Sequence, residues 1–109
     1  MDMEKLLNKG KETLSNVADK AQTYDYLTEQ IKIWATNQAL NTGKPDLQLI
    51  KLTEEFGELA QGHLQADHDE IAETLGDLYI ALTIYAMQQG LDIRECIKNA
   101  TTELTSSND

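Results

Sequence analysis

The chain has 109 residues and a formal net charge of −10. This length fits one domain that buries only a modest fraction of its surface, so dimerisation would help its stability. The acidic balance excludes a generic binder of nucleic-acid polymers, which needs a basic surface. A nucleotide ligand is still compatible with it, because a bound divalent cation reverses the local sign of the charge.

The cysteine content and the hydropathy pattern indicate a compartment. Cys96 is the single cysteine, so no intrachain disulfide can form, which fits a reducing environment. Residues 1–10 are polar and lack the apolar core of a signal peptide. The longest apolar stretch, residues 78–87, is too short to span a bilayer. We therefore expect a cytoplasmic protein with no membrane partner.

Helix-forming residues dominate the sequence, and no convincing strand pattern occurs. The pattern predicts an all-α fold with a four-helix-bundle-like core that is completed by oligomerisation. A helical arm is expected at residues 1–22, the domain at residues 23–105 and a disordered tail at residues 106–109. The domain helices are predicted over residues 25–40, 46–66, 71–89 and 92–104.

Local signals predict where the helices end and which faces they bury. Residues 41–45 read as a turn, Asp67 or Asp69 is expected to cap the next helix, and Gly90 to end it. Mostly apolar residues at three- and four-residue steps predict the buried faces of the two central helices. These are Leu49, Leu52, Phe56, Leu59 and His63 on one helix, and Ile71, Leu75, Leu78, Leu82 and Tyr85 on the next.

Acidic residues concentrate on the two central helices, since residues 52–93 contain no lysine or arginine. Helical surfaces usually intersperse charges of both signs, so another group should neutralise this cluster. Glu55 and Glu58 share one helix face, as do Glu73 and Asp77 on the next helix. A short connection makes the helices antiparallel neighbours, and the four carboxylates are then expected to oppose one another. Hard cations such as Mg²⁺ or Mn²⁺ would remove the repulsion.

A solvated acidic surface is the simpler alternative, above all for Glu54, Asp67 and Asp69. Against it stand Gly57 and Gly76, which lie inside predicted helices next to the acids. Glycine costs about 1 kcal/mol there relative to alanine. We expect these glycines to let a helix or a ligand approach closely.

Two motifs resemble those of the MazG-like nucleotide pyrophosphohydrolases, in particular the small phage and prophage-type members of this all-α family. The first reads KLTEEFGELA at residues 51–60, and the second reads ETLGDLY at residues 73–79. The resemblance extends over roughly residues 30–99. It implies a four-helix core, homodimers or homotetramers, and magnesium-dependent cleavage between the α- and β-phosphates of a nucleoside triphosphate.

The resemblance implies roles for individual acids. Glu55 and Glu58 match the family's first pair of metal ligands, and Asp77 matches the last. Glu54 matches an acidic position that orients or activates the attacking water. Bound Mg²⁺ would then polarise the α-phosphate and lower the pKa of a water, whose proton Glu54 or Glu55 would take.

One position of the second motif departs from the family pattern. Three residues before Asp77, where the family commonly has an acid, this chain has Thr74. Glu73 lies four residues before Asp77, so we expect it to reach the metal from a slightly rotated position. Glu70 is the reserve candidate.

Other residues are candidates for contacts with the nucleotide. Trp34 is expected either to stack on a base or to pack in the core, and Asn37 either to read a base edge or to be solvated. Cys96 is expected to be a small core residue. The candidate phosphate contacts are Lys44, Lys51, Arg94 and Lys98.

Two rival functions are still open. The first alternative is a catalytically weak or inactive acidic helical module that binds a nucleotide or a protein partner. Thr74 favours this alternative, as does the sequence TELTSSND at residues 102–109, where many relatives have a basic segment. The second alternative is an enzyme specialised for a deoxyuridine nucleotide or another phosphorylated metabolite.

Overall fold

The structure is a computed structural model that describes residues 2–5, 8 and 23–106, and every regular element in these residues is a helix. The predicted all-α fold is therefore confirmed. The predicted arm lies largely outside the described residues, as do residues 107–109 of the predicted tail. No helix in the described ranges is long and apolar enough to cross a membrane. The elements are α1 (Tyr24–Asn37), a 3-10 turn (Leu40–Thr42), α2 (Pro45–Leu64), α3 (His68–Gln88) and α4 (Ile93–Ser106).

The chain divides into two compact units, Met1–Gln30 and Ile31–Asp109. In the first unit, the Oγ1 atom of Thr23 accepts a hydrogen bond from the backbone N–H of Tyr26 at 3.2 Å, which caps the start of α1. The second unit contains both acidic motifs, and its central feature is the pair formed by α2 and α3.

Local signals set the ends of α2 and α3. Pro45 occupies the first turn of α2, where its missing N–H costs nothing. Asp67 caps α3, because its Oδ1 atom accepts a hydrogen bond from the N–H of Glu70 at 3.2 Å. Gly90 has a φ of 71° just beyond the end of α3, and the N–H of Leu91 donates to the Ala86 carbonyl at 2.8 Å. Both predicted signals are confirmed, and Asp67 is the cap rather than Asp69.

The short connection between α2 and α3 makes them an antiparallel hairpin with a small shared core. A Cβ added at Gly62 would lie 3.1 Å from the Cγ of Glu70, so this glycine lets the two helices approach closely beside the turn. The buried core residues are Leu52, Leu78 and Ala81, with Leu59 and Tyr85 packed against them.

The face of α2 that packs on α3 differs from the predicted one. The predicted members Leu49 and Phe56 are 47% and 56% exposed, and His63 is exposed as well. Relative to the predicted face, the packed face is rotated around α2 by about one residue. The prediction missed it because an amide and a glycine contribute to this face alongside the apolar residues. Its members, at steps of four and three, are Gln48, Leu52, Glu55, Leu59 and Gly62.

On α3 the predicted face is also partly wrong, because Leu75 and Leu82 are 54% and 39% exposed. The expectation that the second half of α3 is buried on several sides is confirmed. Leu78, Ala81, Thr83, Ile84 and Ala86 are all buried. The 3-10 turn and α4 cover this half, and the side-chain amide of Gln88 donates to the Leu40 carbonyl at 2.9 Å.

Gln48 holds α2 and α3 together. Its side chain is 8% exposed, and its Nε2 atom donates to the Ala81 carbonyl at 3.0 Å. We predict that Gln48→Ala lowers the free energy of unfolding by about 1–3 kcal/mol, because it removes this bond and leaves a void. Urea unfolding followed by circular dichroism measures the change. Leu47→Ala, at an exposed neighbour, is the control and should change the stability by less than about 0.5 kcal/mol.

Cys96 was predicted to be a small core residue, and this prediction is wrong. The thiol is free and exposed on α4. The described residues of α4 include none that is buried, because only one side of this helix contacts α3. A single cysteine in a short helix carries no signal for which side faces a neighbour.

Candidate metal site

Glu55 is the residue on which the candidate site is centred. It lies on the packed face of α2, between the apolar side chains of Leu52 and Leu59, and is half-buried. Its Oε2 atom is buried and has no hydrogen-bond partner. A carboxylate oxygen that is removed from water without a donor or a cation destabilises the folded state. The position therefore calls for a positively charged occupant or for a proton.

The electrostatic surroundings of Glu55 also favour a bound cation or a proton at this carboxyl. Burial raises the pKa of the Glu55 carboxyl above its ordinary value, and the neighbouring carboxylates of Glu58 and Asp77 raise this pKa further. A hydrogen bond with the Glu58 carboxyl adds to the effect, while the positive charge of Lys51 lowers the pKa. Acids from both motifs, two on α2 and one on α3, thus interact electrostatically across the hairpin.

Glu73, the remaining predicted ligand, is less closely associated with Glu55 than Glu58 and Asp77 are. Glu73 is exposed and is not among the charges that act on the pKa of Glu55. Thr74, at the position where the family has an acid, is 1% exposed and packs in the core. Glu54, next to Glu55 in the sequence, is exposed, and Glu70 packs near Gly62, two helical turns along α2 from Glu55.

The carboxylates do not form a ready-made coordination shell. In the ranges that the structure describes, no group of three or more His, Cys, Asp or Glu side chains is arranged to hold a metal ion. Without a cation, carboxylates at close range repel one another and gain free energy by turning toward water. Metal binding at Glu55, Glu58 and Asp77 therefore stays a prediction.

The residues nevertheless fit a hard divalent cation in two respects. The buried, unpaired Oε2 of Glu55 is an oxygen ligand without a competing donor. Its neighbours Glu58 and Asp77 add further carboxylate oxygens, which are the ligands that Mg²⁺ and Mn²⁺ prefer. The chemistry of this donor set suits a cation that shares its coordination with phosphate oxygens and water.

The predicted nucleotide contacts are spread over three helices. Lys51 lies one turn before Glu55 on α2 and acts on its pKa, so it is the basic residue nearest the acids. Lys44 precedes α2, and Lys98 lies on α4; both are exposed. Trp34 is 52% exposed, so the alternative that it packs in the core is wrong, and Asn37 is exposed at the end of α1. Base stacking by Trp34 stays a prediction.

Arg94 is engaged by a carboxylate of its own chain. Its Nε and Nη2 atoms donate to the two carboxylate oxygens of Asp92 at 3.1 and 3.2 Å. The Oδ1 atom of Asp92 also accepts from the Arg94 backbone N–H at 3.0 Å, which caps α4. A phosphate contact by Arg94 would therefore have to compete with Asp92.

The pairing of Asp92 with Arg94 predicts that the stability of the protein depends on pH. Hydrogen bonds from the Arg94 side chain and backbone hold the pKa of Asp92 below its ordinary value. A lowered pKa adds stability that is present above the ordinary aspartate pKa of about 3.9 and is lost as the pH falls through the folded-state value. We predict that Asp92→Ala lowers the free energy of unfolding by about 1 kcal/mol at pH 7. Thermal unfolding should show this difference shrinking below about pH 4.

The two helical glycines next to the acids do not mediate packing between described residues. A Cβ added at Gly57 or at Gly76 would meet no atom within 4 Å. The expectation that they bring described helices together is wrong, because both point away from the packed faces of the hairpin. Close approach of a ligand at these glycines stays a prediction.

Sequence reasoning missed the structural roles of Gln48 and Thr74. Both are polar, and the search for buried faces counted apolar residues only. A signal was nevertheless present, because Gln48, Glu55 and Gly62 recur every seven residues and alternate with Leu52 and Leu59. This spacing describes the true packed face of α2.

Comparison with known proteins identifies a relative from a phage. The chain is 37% identical over 67 residues to the "Uncharacterized 18.2 kDa protein in rep-hol intergenic region" of Haemophilus phage HP1. The match covers 61% of this chain and 41% of the phage protein, so the chain spans about two fifths of that relative's length. No family model matches the chain, and no solved structure matches it. The relative's name states no activity, so functional inference rests on the residues themselves.

Proposed function

We propose that this protein is a magnesium-dependent pyrophosphohydrolase that converts a nucleoside or deoxynucleoside triphosphate and water to the monophosphate and pyrophosphate. The observation that carries the proposal is the buried, unpaired Oε2 of Glu55 beside the carboxylates of Glu58 and Asp77. A protein that keeps acids in this costly arrangement gains when a cation binds between them. The two motifs that resemble the MazG-like enzymes support the same conclusion.

The proposed mechanism assigns distinct tasks to residues of the hairpin. When bound, Mg²⁺ or Mn²⁺ supplies Lewis acidity toward the α-phosphate and lowers the pKa of a coordinated water. Glu54 is exposed next to Glu55 and would accept the proton of the attacking water. Glu55, with its raised pKa, is the alternative proton acceptor. Lys51 balances the charge of the departing pyrophosphate. The proposed cation ligands are Glu55, Glu58, Glu73 and Asp77.

The decisive experiment is pyrophosphate release from a panel of ribo- and deoxyribonucleoside triphosphates. The wild-type protein is incubated with Mg²⁺, with Mn²⁺ or with EDTA. Release with either cation and none with EDTA would support the enzyme, and the panel would define the base and sugar that it prefers. No release from any triphosphate or related phosphorylated metabolite would contradict the proposal.

We also propose a cytoplasmic location, in which the single Cys96 stays reduced.

A second candidate function is a module that binds a nucleotide without turning it over. The burial of Thr74 favours it, because a threonine that is 1% exposed occupies the position of a family ligand and supplies no carboxylate. This candidate predicts saturable binding of a magnesium–nucleotide complex in calorimetry together with no pyrophosphate release. The two measurements therefore separate the candidates.

A further inference from the structure

Glu55 lies midway between two close contacts that join α2 to α3. At one end, the Nε2 atom of the buried Gln48 donates to the Ala81 carbonyl at 3.0 Å. At the other end, Gly62 is buried, and a Cβ built on it would lie 3.1 Å from the Cγ of Glu70. We call these the two end contacts. Glu55 is seven residues from Gln48 and seven from Gly62, which is about 10 Å along the helix axis in each direction.

The opposing helix reaches the two end contacts in the reverse order. On α3, Ala81 follows Asp77 by four residues, and Glu70 precedes Asp77 by seven. Because the helices are antiparallel, the stretch of α3 that contains Asp77 lies beside the stretch of α2 that contains Glu55. The Asp77 carboxylate accordingly raises the pKa of Glu55. The end contacts thus fix the level at which these two acids oppose each other.

The Gln48 contact limits the rotation of α2 as well as its register. Seven residues are nearly two full turns, so Gln48 and Glu55 lie on the same face of the helix. A hydrogen bond has a preferred distance and direction, whereas an apolar contact is non-directional and tolerates sliding. Loss of the bond to Ala81 therefore frees α2 to turn or slide against α3, and the backbone of Glu55 moves with it.

The spacing of the two helices bears on which cation fits between them. No coordination shell is formed among the residues that the structure describes, so the end contacts fix the backbones that carry the acids rather than the oxygens. Mg²⁺ requires nearly ideal octahedral geometry at about 2.0–2.1 Å, whereas Ca²⁺ takes more oxygens at about 2.3–2.6 Å in flexible arrangements. Acids on helices of fixed spacing favour the smaller cation, and acids on helices that shift accommodate the larger one.

We infer that Gln48 is a positioning residue for the cation, and that its hydrogen bond to Ala81 sets the preference of the site for Mg²⁺ or Mn²⁺ over Ca²⁺. Gln48 acts through the rotation and register of α2, and it touches neither the cation nor the substrate. The inference rests on the proposed function, because it needs a cation at Glu55 and Asp77.

Calorimetric titration of the full chain with Mn²⁺ and, separately, with Ca²⁺ tests the inference. Gln48→Met keeps a side chain of similar size and loses the amide. We expect it to lower the affinity for Mn²⁺ about 10-fold, as loss of a residue that orients metal ligands typically does. The affinity for Ca²⁺ should fall less than about 3-fold, because Ca²⁺ tolerates irregular ligand geometry. The ratio of the two affinities therefore falls.

The ratio separates positioning from stability, because a general loss of stability weakens both cations equally. Ile84→Val is the matched control: Ile84 is buried on α3 and makes neither end contact, so both affinities should stay at the wild-type values. A second readout is pyrophosphate release, for which the Mg²⁺ concentration at half-maximal rate should rise about 10-fold in Gln48→Met while the rate at saturating Mg²⁺ is kept. Circular dichroism checks that the helices of each variant persist.

Two results would overturn the inference. One is a wild type that binds no Mn²⁺ in the titration, and pyrophosphate release then decides whether the proposed enzyme fails as well. The other is a Gln48→Met protein whose two affinities are unchanged or fall equally, which leaves the proposed enzyme intact wherever the wild type releases pyrophosphate. A lower ratio in a protein without release supports the role of Gln48 and contradicts the enzyme. Should Gln48→Met lose its helical signal, Gly62→Leu repeats the test at the other end contact with the same criteria.

Discussion

We expect Glu58→Gln to slow pyrophosphate release from the preferred triphosphate by at least about 100-fold, because it removes a charged ligand of the proposed cation. Glu58 is exposed on α2, and its carboxyl acts on the pKa of the half-buried Glu55. Glutamine has the same length as glutamate and keeps one oxygen ligand. The substitution therefore tests the charge at this position rather than the packing of the hairpin.

The measurement compares initial rates of wild type and variant at saturating Mg²⁺. Glu103→Gln, an exposed position on α4, is the matched control and should retain the wild-type rate. Circular dichroism should show the same helix content in all three proteins. Unchanged turnover in the Glu58→Gln protein would show that Glu58 is not a ligand of the cation and would contradict the proposed set of ligands.

The second expected result is a gain in stability on loss of the central acid. We predict that Glu55→Gln unfolds at a higher temperature than the wild type at pH 7 in EDTA, and that it releases no pyrophosphate. Burial and the nearby Glu58 and Asp77 carboxylates raise the pKa of Glu55 above its ordinary value of 4.5. The folded state therefore holds this proton more tightly than the unfolded chain does.

The sign of the pH dependence follows from linkage. With a raised folded-state pKa, the wild type loses stability as the pH rises from the ordinary value through the folded-state value, and the penalty is complete above it. The variant has no such group, so its advantage should be largest at pH 7 and should vanish below about pH 4.

Metal binding supplies an independent readout of the same residue. If a cation occupies the site, Mg²⁺ should raise the unfolding temperature of the wild type and have little effect on Glu55→Gln. Glu54→Gln, at the exposed neighbour, should unfold close to the wild type in EDTA. A Glu55→Gln protein that is less stable than the wild type at pH 7 would show that Glu55 serves the fold and not a ligand.

These two experiments together separate the proposed enzyme from the binding module. Loss of turnover in both variants, with a loss of the Mg²⁺ response in Glu55→Gln, is expected of a catalytic cation site. A Mg²⁺ response of the wild type without turnover of any triphosphate would favour the module, with the buried Thr74 as its physical explanation. Neither outcome depends on the oligomeric state.

The sequence by itself determined which segments are helical and the signals at the two ends of α3, whereas α1 ends at Asn37, three residues before the predicted end. The all-α fold, the cap at Asp67 and the stop at Gly90 follow from interactions within a few residues along the chain. Local chemistry is sufficient there, because a side-chain cap and a positive φ act within one turn of the backbone. The acidic motifs were visible for the same reason, since the spacing of Glu55 and Glu58 within one helix already puts them on the same face.

Only the tertiary structure decided which face of each helix is buried. On α2, one stripe contains Leu49 and Phe56, and a second stripe, about 100° away, contains Gln48 and Glu55. The periodicity of apolar residues predicted that the stripe with Leu49 and Phe56 is buried, because it is the more apolar of the two. The second stripe packs because Gln48 finds the Ala81 carbonyl, 33 residues further along the chain. No local signal encodes such a partner. The burial of Glu55, and with it the raised pKa on which the proposed function rests, follows from that same choice of face.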